Sequence, residues 1–121
     1  MPVTLRKIRE RKKRRKKVLE KELRKIKKQL QDMGALKIIL FGSYAYDNVR
    51  SWSDLDIISI MPSAKTGKDW MKKIYEEIDR EVGCDILAYT AEELERLIPL
   101  SRFLRNALET GRVIYERRPQ E

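Results

Sequence analysis

Two aspartates, Asp54 and Asp56, stand at the head of the apolar run 55–61, and this pair constrains the chain more than any other feature. Residues two apart on a strand point to the same face. Carboxylates placed side by side repel each other and suit neither a strand nor a core. A divalent cation offsets both penalties. Hard cations such as Mg2+ take oxygen ligands and commonly bind through one or two carboxylates plus substrate phosphates.

The chain around this pair alternates strand and helix signals. Residues 37–41 (KIILF) read as a buried strand that Gly42-Ser43 breaks, opening a short helix or turn. Residues 51–53 form a loop, 55–61 a second strand and 62–68 a loop punctuated by Pro62 and Gly67. Asp69 is placed to cap a helix running through Val82, with Trp70, Met71, Ile74 and Ile78 as its apolar positions and Gly83 as its stop. Residues 84–89 read as a third strand. Thr90-Ala91-Glu92-Glu93 carries a capping-box signature for a helix to about Ile98. Pro99 is read as the start of another helix that stops at Gly111, and 113–115 as a short last strand.

The N-terminal third is different in kind. Residues 1–33 hold 15 Lys or Arg against 4 Asp or Glu, while the other 88 residues hold 13 against 15. A nearly neutral domain, 19–121, therefore carries a basic arm, 1–18. Leu19, Leu23, Ile26, Leu30 and Met33 are spaced four, three, four and three apart, one stripe of an amphipathic helix, and Gly34 suits its C′ position. Residues 9–17 (RERKKRRKK) contain no apolar member, so this stretch is expected to fray or be disordered when free. Its functional readings are phosphate contacts with RNA or DNA through residues 6–28, or reach toward an acidic partner protein. The structural alternative is a solvated, charge-rich extension. Few aromatics interleave it, so base stacking is not expected. Trp52 and Trp70 read as packing residues, with contact to a nucleobase the alternative for Trp52 in the loop before the acids.

Composition removes whole classes of chemistry. The chain has no histidine, which excludes His-dependent triads and His-ligated metals, and its single cysteine, Cys84, excludes an internal disulfide and a multi-cysteine zinc site. No apolar stretch approaches the roughly 20 residues that span a membrane, and the basic N-terminus lacks the apolar core of a signal peptide, so a cytoplasmic protein is expected. Catalysis must rest on carboxylates, hydroxyls, Lys, Arg and a bound ion.

Asp85 stands second in the otherwise apolar run 84–89. If that strand lies beside 55–61, Asp54, Asp56 and Asp85 converge on one edge. Three acids can hold two Mg2+ ions about 3.5–4 Å apart, the arrangement of in-line phosphoryl or nucleotidyl displacement, and Asp85 can take the proton of an attacking hydroxyl. Gly42 lets backbone approach a phosphate closely, and the Ser43 hydroxyl adds a donor. Ser43 is not a covalent nucleophile: no histidine base and no Gly-x-Ser-x-Gly elbow is present.

The order strand, Gly42-Ser43, ten residues, Asp54-x-Asp56, helix, strand with Asp85 resembles the minimal nucleotidyltransferases of the DNA polymerase beta superfamily over roughly residues 20–117. The resemblance implies an α+β fold, a mixed β-sheet flanked by helices, here preceded by a basic N-terminal helix. It implies Gly42 and Ser43 at the triphosphate of ATP or another NTP, and Asp54, Asp56 and Asp85 on two Mg2+ ions. In many relatives x-Ala-Arg-Gly follows the Gly-Ser; here Tyr44-Ala45 fits, but Tyr46 and Asp47 replace Arg and Gly. Arg50, Lys65 and Lys68 are the candidate substitutes for that arginine. Small relatives are often encoded beside a HEPN-type partner protein, and some are antitoxins that transfer AMP onto a tyrosine of that toxin. The alternative is a degenerate member that binds RNA or a partner through its arm; a homo-oligomer is open in either case.

Overall fold

The structure, a computed structural model, describes residues 4–45, 49, 54–79 and 83–118. The three apolar runs become strands and a fourth joins them: β1 (Lys37–Phe41), β2 (Leu55–Met61), β3 (Cys84–Thr90) and β4 (Arg112–Glu116), in the order β3-β2-β1-β4. β1 is antiparallel to both β2 and β4, whereas β2 and β3 run parallel. A parallel pair cannot be joined by a tight turn and needs a crossover; here the crossover carries α3 (Gly67–Glu77).

Alternation along the strands divides the interior in two. Leu55, Ile57 and Met61 of β2 pack in one core with Leu19, Ile26 and Leu30 of α1 (Leu5–Asp32) and Trp70 and Ile74 of α3. Ile58, with Ile39, packs in the other against Leu94 of α4 (Ala91–Leu97) and Leu104 and Ala107 of α5 (Arg102–Thr110). The result is the mixed, helix-flanked α+β sheet that the sequence implies. Among the described residues no helix is long and apolar enough to cross a membrane.

α1 is the basic N-terminal helix that the sequence implies, and it runs well beyond the apolar stripe. It is unbroken from Leu5, so residues 9–17 are helical, and the helix crosses from arm to domain without a joint. The reason is cooperativity. Leu19, Ile26 and Leu30 are fully buried, each contributing about 1.5–3 kcal/mol, and they anchor a helical nucleus. Extension then needs only propagation, for which Lys and Arg are good formers. The Thr4 side chain closes the far end by accepting from the Lys7 N–H at 3.2 Å. Gly34, at φ 103°, takes the left-handed conformation past the other end, as expected of a C′ glycine.

Two helix starts also move. Thr66, not Asp69, caps α3 by accepting from the Asp69 N–H at 3.2 Å, so Asp69 falls in the first turn; the helix stops at Glu77, and Val82 lies outside the described residues. Pro99 sits in a turn, and Ser101 caps α5 through the Leu104 N–H at 3.2 Å, because a hydroxyl can accept from the helix where Pro offers nothing. Trp70 is a packing residue, buried and donating its indole N–H to the Pro62 carbonyl at 2.8 Å.

The capping box at Thr90 forms as read. The Thr90 hydroxyl accepts from the Glu93 N–H at 3.2 Å, and Glu93 Oε1 accepts from the Thr90 N–H at 2.8 Å. The same oxygen accepts from the Gly67 N–H at 2.9 Å and so ties the start of α4 to the start of α3. The Thr90 amide, followed by that of Gly67 and the Thr90 hydroxyl, holds the Glu93 carboxyl below the ordinary glutamate range, against partial burial, which raises it. A depressed carboxylate contributes stability that is complete above its unfolded pKa and is lost as pH falls through its folded pKa. Urea titrations from pH 6 to pH 3 should therefore show wild type losing more stability than Glu93→Gln, which starts lower and changes less.

Candidate active site

Strand direction gathers the chemistry. β2 and β3 both begin, and antiparallel β1 ends, at the same edge of the sheet. The register places Asp56 opposite Phe41 on one side and opposite Asp85 on the other. Asp56 shares the face of Ile58, and Asp85 that of Leu87, so both aspartates lie on the α4–α5 side of the sheet. Asp54 immediately precedes β2, and Gly42 immediately follows β1, opening the four-residue turn α2 (Gly42–Ala45). Asp54, Asp56, Asp85 and Gly42 thus occupy one end of the sheet. The Ser43 side chain and residues Tyr46, Asp47, Arg50 and Trp52 lie outside what is described.

Two glycines make room for the acids. Gly42 has φ 78°, and a Cβ there would collide with the Asp56 carboxylate. A Cβ on Gly83 would collide in the same way with the Asp54 carboxylate. α3 ends at Glu77, so Gly83 does not stop it; Gly83 is instead the surface against which Asp54 lies.

The acids are poorly compensated. Burial first, then Asp85, then Asp54, raise the Asp56 carboxyl above the ordinary aspartate range. Asp54 and Asp85 are exposed, and Asp54 turns to Arg15, whose guanidinium lies 3.1 Å from its Oδ1. Among the described residues, no three or more His, Cys, Asp or Glu side chains are gathered into a group that could hold a metal ion. The backbone nevertheless sets three carboxylate bearers at one sheet end, with ionised Asp56 disfavoured by burial first and by its neighbours second. An all-oxygen donor set under mutual repulsion is chemistry that suits a hard divalent cation.

Cations stand around this end, and their source was not foreseen. Lys65 and Lys68 follow β2 and so lie at the far end of a strand about 20 Å long; Lys65 rests over the Trp70 ring instead. Both stand at the end of the sheet away from Asp54, Asp56 and Asp85. At the near end, Arg112 opens β4 and donates from Nη2 to the Ala45 carbonyl at 3.2 Å. Burial and then Glu20 raise the Tyr44 hydroxyl's pKa, while Lys16, Arg112 and Arg24 oppose the rise, which sets all three cations near α2. A signal for Arg15 was present: it lies four residues before Leu19, one step back along the apolar stripe, so it continues the inward face of α1.

A family model described as "Nucleotidyltransferase domain" matches residues 20–114. No curated protein and no solved structure matches the chain significantly.

Two substitutions test the geometry. A raised aspartate pKa means that ionising Asp56 opposes folding as pH rises through the carboxylate range. Asp56→Asn should accordingly be more stable than wild type at pH 7, with the gap narrowing toward pH 3 in denaturant titrations. Gly42→Ala adds both a left-handed alanine and a collision with Asp56. It should lose about 1–3 kcal/mol, read as a lower urea midpoint.

Proposed function

Because this chain belongs to the nucleotidyltransferase domain family, we propose that it moves a nucleoside monophosphate, AMP from ATP, onto a hydroxyl of a protein or nucleic-acid acceptor. The observation that carries this reading is the pairing of Asp56 with Asp85 in register beside Gly42. Asp54, Asp56 and Asp85 would hold Mg2+, in the two-ion arrangement that three acids allow. The chemistry supplied by the bound metal is activation of the acceptor hydroxyl and neutralisation of charge on the triphosphate. Gly42, whose missing Cβ makes room for the Asp56 carboxylate, opens the turn that would face the triphosphate, and Ser43 follows it as a donor. Asp85, the most open of the strand acids, is the base: it takes the acceptor proton as the acceptor oxygen bonds to the α-phosphorus, the bond to the β-phosphate oxygen breaks and pyrophosphate leaves.

The acceptor we favour is a tyrosine of a HEPN-type toxin, with this chain as its antitoxin, as the resemblance to the minimal nucleotidyltransferases implies. A second reading, a binding module with weak or no transfer, is favoured by one observation: α1 is exposed and rich in cations from Arg6 to Arg14, suited to nucleic-acid phosphates.

Incubation with α-labelled ATP, Mg2+ and candidate acceptors should transfer label, and chelation or the double variant Asp54→Asn, Asp56→Asn should abolish transfer. Label transfer that survives the double variant would remove the site assignment. Deleting residues 1–17 should weaken RNA retention at low salt if the second reading holds; unchanged retention removes it.

A further inference from the structure

We propose that Arg15, reaching from α1 to the carboxylate end of the sheet, is a phosphate ligand for the nucleoside triphosphate. The inference rests on the nucleotidyl-transfer reading and assigns a phosphate contact within it.

Position is the first argument. Arg15 Nη2 is 3.1 Å from Asp54 Oδ1, across a sequence separation of 39 residues. Its side chain is only 22% exposed, unlike Arg6 at 89%. It is held there by Leu19, one helical turn away and fully buried, so the guanidinium is delivered by a rigid element. A ligand group held this way loses little freedom on binding.

Charge is the second. Three carboxylates and a triphosphate exceed what two divalent ions neutralise, and the remainder calls for fixed cations. Arg15 now answers the Asp54 charge. When Asp54 turns to a metal–nucleotide complex, the partner nearest the guanidinium becomes a phosphate oxygen, and the planar fork of arginine binds phosphate through paired hydrogen bonds. Arg112, which donates to the Ala45 carbonyl of α2, and Lys16, whose charge acts on Tyr44, add positive charge at this end.

Calorimetric titration of the full chain with the α,β-methylene analogue of ATP and Mg2+ decides the matter, because no turnover intrudes. Arg15→Gln, which keeps helix propensity, should weaken binding about tenfold or more. Arg15→Lys should recover part of the loss, and Lys65→Gln, the same charge removed at the far end of the sheet, should leave affinity unchanged. If Arg15→Gln binds as tightly as wild type, the inference fails while the nucleotidyl-transfer reading stands. If it binds more tightly, Arg15 is a competitor for Asp54 and the inference is reversed. An equal loss in Lys65→Gln reduces the effect to net charge and overturns it. Wild type that binds no nucleotide removes the nucleotidyl-transfer reading and this inference together.

Discussion

The parallel pairing of β2 with β3 is the constraint on which the rest of the molecule depends. It sends the chain across one face of the sheet as α3 and returns it to start at the same edge. Antiparallel β1 then ends where β2 begins, so the turn at Gly42 arrives at that edge too. Were β2 and β3 antiparallel, Asp85 would sit at the far end of the sheet from Asp56. The gathering of acids is therefore a property of topology first and of side chains second.

That gathering has a stability consequence. Asp56 is half-buried between two other acids with a glycine hydrogen against its carboxylate. The sheet tolerates it because the hydrophobic layers on both sides are continuous beneath it, from Ile57 and Ile86 on one face to Ile58 on the other. Such a placement is a poor choice for folding and a good one for a site whose missing charge arrives with a ligand.

Much of this could be read from the residues. β-branched runs bounded by Gly and Pro gave three strands, the Thr90–Glu93 spacing gave a capping box, and the Asp-x-Asp pair with Asp85 marked the end of the sheet that the three aspartates share. The misses share a cause: each turned on what lies beyond a local window. Residues 9–17 have no apolar partner of their own, so their helix depends on burial of Leu19, Ile26 and Leu30 further along. Lys65 looked like a phosphate cation because it follows the aspartate strand, and strand length puts it at the other end. Arg15 lay hidden inside a run of cations in which only its phase against Leu19 set it apart.

The continuity of α1 has one more consequence. Between Arg15 and Leu19 the helix is a spacer whose length and phase matter more than its composition. Lys16, Lys17 and Val18 could be exchanged for other good helix formers with little change in where Arg15 lands. A single inserted or deleted residue, by contrast, would swing everything before it through about 100° and shift it by about 1.5 Å, turning Arg15 away from Asp54. Divergence in this segment is thus expected to run through substitutions, with its residue count held fixed.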